Sequence, residues 1–252
     1  MKLLICALLT SWLAAATPLL AADIEIALTD DRVDVDTGFA GARLTLFGAV
    51  TGVDNPSQLD MAAVIRGPQA RFNIRQMEKR NLIWTPGPAH IIEDAPGLYL
   101  TYATRPVKDM VPLPLQADYR LDAEYLDITL QSHAEAHVDD ASLFRRAFLS
   151  EAEELGLYQS QVGGIEFKKD ALFTITARLP ANTPVGDYEV SVYLFQDGVL
   201  VGSDTTALAV NRAGLERRIY DFAHNRPVSY GFFCVALSLF AGWIASLAFR
   251  KT

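Results

Sequence analysis

Apolar and polar positions alternate with a two-residue period along much of this chain, and in a few places the rhythm becomes helical. Ala42–Val50 places Ala42, Leu44, Leu46 and Val50 on one side and Arg43 and Thr45 on the other, the pattern of a half-buried strand. Leu172–Leu179 does the same with Phe173, Ile175, Ala177 and Leu179, and Tyr188–Phe195 with Tyr188, Val190, Val192 and Leu194. Ala62–Arg66 is a short apolar run stopped by Gly67-Pro68. Arg71–Met77, Leu98–Thr104 and Glu124–Leu130 are further strand candidates, the last with Leu126, Ile128 and Leu130 facing inward. Asp197-Gly198 then supplies the two residues of a type I′ hairpin turn, with Val199 onward as the returning strand.

Two turns resemble each other. Pro96-Gly97-Leu98-Tyr99 leads into one strand and Pro184-Val185-Gly186-Asp187-Tyr188 into another. Proline fixes the approach, glycine permits the corner, and the tyrosine ring can pack inward with its hydroxyl at the rim, as at an immunoglobulin-like corner. The expected fold class is therefore mainly β: one or two immunoglobulin-like β-sandwich lobes with one inserted helix. Two lobes would divide near the proline-rich Pro106–Pro114 stretch; a single larger sandwich is the alternative. The inserted helix is expected over 141–155, capped by Asp139 or Asp140 and ended by Gly156, with Leu143, Phe144, Ala147, Phe148 and Leu155 as its buried stripe.

The C-terminal pattern is different in kind. Between Ser229 and Phe249 there is no charged side chain, and Phe232, Phe233, Leu239, Phe240 and Trp243 contribute to continuous apolar bulk. That length suffices to cross a hydrocarbon core of about 30 Å, so a single transmembrane helix is expected at 228–249. Ser238, Gly242 and Ser246 recur every four residues along it and form a candidate helix–helix interface, because small residues on one face allow close approach. At the other end, Lys2, the apolar run Leu3–Ala16 and the small residues up to Ala22 have the layout of a secretory signal peptide, or of an uncleaved N-terminal anchor. Arg212, Arg217, Arg218 and Arg226 precede the span and only Arg250 and Lys251 follow it, a bias that alone would invert the helix. The export signal takes precedence, because the first translocated segment usually sets orientation.

The expected organisation is thus a signal at 1–22, a first β-sandwich lobe at 23–110, and a second β-rich lobe at 111–213. A juxtamembrane helix at 214–227, the span at 228–249 and a cytoplasmic tail at 250–252 complete it. The expected place is the inner (plasma) membrane, with the domain in the periplasm and the bilayer itself a partner.

Charge narrows the function classes. All 30 acidic residues lie between Asp23 and Asp221, and an acidic surface argues against nucleic-acid binding, which needs a basic footprint. Cys6 falls in the signal and Cys234 in the span, so no disulfide or thiolate metal site is expected in the exported part. Nucleophile-elbow, phosphate-loop and dinucleotide patterns are absent; no cofactor is implied, and the chain reads as non-enzymatic.

Two local patterns could carry chemistry. His133, Glu135 and His137 would share a face if they continue the preceding strand, a donor set suited to Zn²⁺ in a metal-dependent enzyme; a polar exposed loop is the plainer reading. Arg66, Arg71 and Arg75, with Lys79 and Arg80 nearby, could hold a small anion by charge-assisted hydrogen bonds, or simply pair with surface carboxylates. Asp30, Asp31, Asp34 and Asp36 lack the spacing and glycine of an EF-hand loop.

The order of features resembles the alphaproteobacterial transmembrane protein family Alph_Pro_TM. The residues that carry the resemblance are Arg66-Gly67-Pro68, Trp84, Pro96-Gly97-Leu98-Tyr99, the Phe144–Tyr158 helix, Leu179-Pro180-Ala181-Asn182 with Pro184, Gly186 and Tyr188, Asp197-Gly198, and the C-terminal span. These are turn and packing residues. The stretch Met77–Ile83 departs from the family pattern in lacking a glycine before Trp84. The resemblance implies an accessory role beside an inner-membrane protein, such as a permease of the sulfite-exporter type.

Overall fold

The two-residue periodicity is realised as strands in three sheets. The computed structural model describes residues 22–53, 55–80, 83–132, 138–168, 171–213, 219 and 222–249. Contacts divide the chain into one unit of residues 1–33 and 40–210, and a second of 34–39 and 211–252.

In the first unit, one sheet has the order β1 (Asp23–Leu28), β3 (Ala42–Thr51), β11 (Leu172–Leu179) and β10 (Ile165–Lys168), antiparallel throughout. A second follows the order β2 (Arg32–Val35), β13 (Val199–Arg212), β12 (Gly186–Gln196), β4 (Asp60–Arg66), β7 (Tyr99–Ala103) and β9 (Tyr158–Val162). Within it, β7 and β9 pair in parallel, and a parallel pair needs a long crossover. That crossover runs through α1 (Val107–Met110), α2 (Leu113–Asp118) and α3 (Val138–Glu154). The third sheet is β5 (Gln69–Arg80), β6 (Ile83–Pro96) and β8 (Thr129–Ser132).

The alternation read from the sequence matches the buried faces. Leu44, Leu46 and Val50 of β3, Phe173, Ile175, Ala177 and Leu179 of β11, and Tyr188, Val190, Val192 and Leu194 of β12 are all buried. β4 is buried on both faces from Met61 to Ile65 and is paired on both edges, with β12 and β7. Polar links join the two larger sheets: the Arg178 N–H of β11 donates to the Tyr102 hydroxyl of β7 at 3.1 Å, and the Ile26 N–H of β1 donates to Asp204 Oδ2 of β13 at 2.9 Å. At Asp197-Gly198 φ is +51° and +79°, as a type I′ turn requires.

Strands from the two expected lobes share both larger sheets. β3 pairs with β11 and β4 with β12, across the proline-rich stretch, which is the arrangement of the single-sandwich alternative. The two look-alike corners meet. The Gly67 N–H donates to the Leu98 carbonyl at 2.8 Å and the Gly97 N–H to the Pro68 carbonyl at 2.7 Å. A Cβ on Gly97 would lie 2.9 Å from Pro184 Cγ, and one on Gly186 2.8 Å from Pro68 Cγ. The Tyr188 hydroxyl donates to the Pro184 carbonyl at 2.6 Å, pinning its own corner.

Two local expectations change. Glu124–Leu130 is not one strand: Ala123–Tyr125 forms a 3₁₀ turn and β8 starts only at Thr129. The Asp122 carboxylate accepts the Glu124 N–H at 3.2 Å, offering the backbone a local alternative to a ladder. The helix begins at Val138, so Asp139 and Asp140 fall inside it rather than before it. Its buried stripe is Phe144, Phe148 and Ala152, spaced by four, while Leu143 and Leu155 are exposed. Gly156 ends it as expected: φ is +69°, with Gly156 N–H to Glu153 O and Leu157 N–H to Ala152 O, both 2.9 Å.

In the second unit, α4 (Pro227–Phe249) is an uninterrupted apolar helix, and Pro227–Ala245 alone is long and apolar enough to cross a membrane. Residues 222–225 are helical; half of the expected 214–227 helix, like the 1–22 signal save Ala22 and the 250–252 tail, lies outside the described residues.

Candidate functional site

The cationic candidates lie on two strands, Arg66 at the end of β4 and Arg71 and Arg75 within β5. Arg66 closes β4, and its guanidinium reaches Glu189 Oε1 on β12 at 3.1 Å and the Tyr119 carbonyl at 2.6 Å. Tyr119 caps the C-terminus of α2, so Arg66 sits at the negative end of that helix. Arg120, next along, has φ +48° and accepts the Tyr99 hydroxyl at its carbonyl; its own guanidinium is hydrogen-bonded to Asp127. Arg66 Nε is buried without a hydrogen-bond partner, as are His90 Nδ1 and Thr101 Oγ1 elsewhere among the described residues.

These groups line a cavity of about 380 Å³ with Gln69, Asp94 and Asp187. Four carboxylates (Asp94, Asp127, Asp187, Glu189) face two guanidiniums there, an excess of negative charge that repels an anion. Arg66 therefore acts as a clamp between β12 and α2.

Arg71 lies on β5, with its side chain 79% exposed and paired to Glu93 of β6 at 2.7 Å; an anion would have to displace Glu93. Arg75, further along β5, lines a separate cavity of about 450 Å³ beside Phe72, Phe148 and Glu151. A larger cavity, about 610 Å³, lies by the β12–β13 turn, where the Arg105 guanidinium is bidentate to Asp60. Neighbouring cavities do not bring Arg66, Arg71 and Arg75 to one point.

His133, Glu135 and His137 lie outside the described residues. Among the described residues, no three His, Cys, Asp or Glu side chains are grouped to hold a metal ion. His90 stacks on Phe144 of α3, ring centroids 3.9 Å apart, and is buried.

A hydroxyl network surrounds the corner junction. Tyr158 donates to the Pro96 carbonyl at 2.8 Å, beside the Tyr99 and Tyr188 bonds already described. Burial pushes all three phenols well above their ordinary range, because the phenolate would lose its hydration. They are structural donors, not acids available to a reaction.

On α4, Ser238 donates to the Cys234 carbonyl at 2.9 Å, and nothing crowds Gly242 within 4 Å. Ser246 is helical at the same spacing.

The surface that sequence reasoning missed is the far end of the β5–β6 hairpin. Met77, Ile83 and Trp84 are exposed by 50%, 67% and 62%. The signal was present: an apolar Ile83-Trp84 pair close to Lys79 and Arg80.

A family model described as "Putative transmembrane protein (Alph_Pro_TM)" matches residues 23–251. The chain belongs to this family. The match covers the corners, the hairpin and the apolar helix alike, so the Alph_Pro_TM chain is a transmembrane protein with a β-rich domain. No curated protein matches it. Among solved structures, Spo0M, a sporulation control protein from Bacillus subtilis, is similar over 81% of this chain and 55% of that chain, with 12% identity and a TM-score of 0.28. The chain thus spans just over half of Spo0M's length. Domain 1 of VCBP3 from Branchiostoma floridae is similar over 77% of this chain and 97% of that chain, with 10% identity and a TM-score of 0.29.

Proposed function

We propose that the protein is a non-enzymatic accessory or scaffold subunit of an inner-membrane complex, with its β-rich domain held in the periplasm by α4. A multi-span permease, of the sulfite-exporter type, is the partner the reading names. The observation that carries it is α4 itself: a 23-residue uncharged helix, with Ser238 and Gly242 on a small-residue face that nothing among the described residues covers. Small residues let a second helix approach closely, so packing contacts accumulate where hydrophobic burial gives no drive. The charged groups of the domain add weight, since Arg66, Arg71, Arg105 and Arg120 are engaged with carboxylates that fasten strands and turns.

The test is purification of the full chain from its native membrane in mild detergent, with mass spectrometry of what accompanies it. The expected result is a stoichiometric multi-span protein that is lost from Gly242→Leu, while circular dichroism shows the β domain still folded. A chain that comes out alone overturns the accessory reading. A complex unchanged by Gly242→Leu removes the small-residue face from the interface.

A further inference from the structure

The β5–β6 hairpin projects apolar side chains that its own sheet leaves bare. Its register pairs Met77 with Pro86, Lys79 with Trp84 and Arg80 with Ile83. Paired residues share a face and neighbours along a strand alternate, so Trp84 lies with Met77 and Lys79 while Ile83 lies on the opposite face. Both faces of the far end are therefore apolar, and all three large side chains are half exposed or more. The near end is anchored instead: Phe72 of β5 packs on Phe148 of α3 at 4.9 Å, and His90 of β6 on Phe144.

Charge distinguishes this hairpin from the domain that carries it. The hairpin, residues 69–96, holds Arg71, Arg75, Lys79 and Arg80 against Glu78, Glu93 and Asp94, a net charge of +1. Its far half, residues 75–86, holds Arg75, Lys79 and Arg80 against Glu78, a net charge of +2. Residues 23–226 hold 30 acidic and 19 basic residues, a net charge of −11, so everything outside the hairpin carries −12. A cationic, apolar-tipped ribbon on an acidic domain fits a surface that is anionic and has an apolar layer beneath. That is the chemistry of an anionic lipid headgroup region, and the same chain carries a helix long and apolar enough to cross a bilayer.

We propose that the far end of the β5–β6 hairpin docks end-on into the interface of an anionic bilayer, with Trp84, Ile83 and Met77 entering the headgroup–acyl boundary. Tryptophan suits that depth because its ring is apolar and its N–H still finds a polar partner. Lys79 can lay its methylene stem along the same layer and keep its ammonium among the phosphates. Two apolar faces favour insertion of the tip over a ribbon lying flat, which would leave one face in water.

The full chain, with Cys6 and Cys234 replaced by alanine, is reconstituted into nanodiscs of phosphatidylcholine alone or with phosphatidylglycerol. An environment-sensitive fluorophore is placed at Ile83→Cys, or at Val185→Cys as a control on an exposed corner beside the anchored near end of the hairpin. In anionic discs the expected result is a blue shift and a several-fold loss of quenching by aqueous iodide at position 83, none at 185. Raising the salt concentration weakens the shielding without any further substitution, and so do Lys79→Glu and Trp84→Ser. A probe at 83 as accessible in anionic discs as the one at 185 overturns the proposal. So does shielding that appears only when native-membrane extract is added, which would assign the tip to a protein partner.

Discussion

The proline–glycine corners and the far end of the β5–β6 hairpin are both turns between strands, but they treat side chains in opposite ways. At the corners, Gly97 faces Pro184 and Gly186 faces Pro68 at distances that leave no room for a Cβ. Three tyrosine hydroxyls there end on backbone carbonyls. At the hairpin, Trp84 and Ile83 meet solvent and the cations outnumber the carboxylates. A turn that closes the sandwich spends its residues on internal contacts. A turn that leaves it retains surface for another phase or molecule.

The largest effect that separates the two regions is alkaline. Burial raises the folded-state pKa of Tyr99, Tyr158 and Tyr188 above the ordinary value of 10.0. The folded state holds these protons more tightly than the unfolded state. Their stabilisation is therefore complete below the unfolded value and is lost as pH rises from there towards the folded values. A tyrosinate also cannot donate to Arg120, Pro96 or Pro184. The domain is expected to unfold cooperatively above the normal tyrosine range, with buried tyrosinate absorbance appearing together with loss of the β circular-dichroism signal. Tyrosinate formation complete before any unfolding would show that the corners are looser than their hydroxyl bonds imply.

Next in size is Gly186→Ala. At φ +149° and with Pro68 Cγ 2.8 Å from the new Cβ, the methyl group meets both backbone strain and a rigid ring. A loss of about 1–3 kcal/mol is expected in denaturant unfolding. A neutral result would mean that the two corners can separate without disturbing the sheets, and the contrast with the hairpin would lose its sharper half.

What the sequence made legible follows the same division. Strand alternation in β3, β11 and β12 was readable because each buries one face completely, and Asp197-Gly198 because few residues other than glycine, asparagine and aspartate accept positive φ there. The resemblance between the two corners was visible, but not their contact, which brings residues near 67, 97 and 186 together and has no local signature. For the same reason the strands divided among sheets by spatial neighbour rather than by lobe. Arg66 looked like part of an anion cluster because sequence spacing shows its neighbours on β5, not its partners Glu189 and Tyr119. Leu143 and Leu155 looked buried from helical periodicity, yet the stripe narrows to Phe144, Phe148 and Ala152, because the helix rests on the ring of Phe72 and on β9 along one line. The hairpin tip was passed over because an apolar pair in a turn looks like a strand end awaiting a partner.

The smallest effect is the one that keeps the two regions distinct. Trp84→Ser removes a large apolar ring, and in a core such a truncation costs about 3–5 kcal/mol. At 62% exposure the ring has little to lose on the folded side, so thermal unfolding of the chain in neutral detergent is expected to change by no more than about 0.5 kcal/mol. Serine should slightly favour solubility, since it takes an exposed apolar surface away. A loss well above 1 kcal/mol would mean that Trp84 packs within the chain, and the hairpin would then belong with the corners. Stability that holds while lipid shielding disappears would place the indole's contribution outside the fold, in the contact the hairpin makes with what lies beyond it.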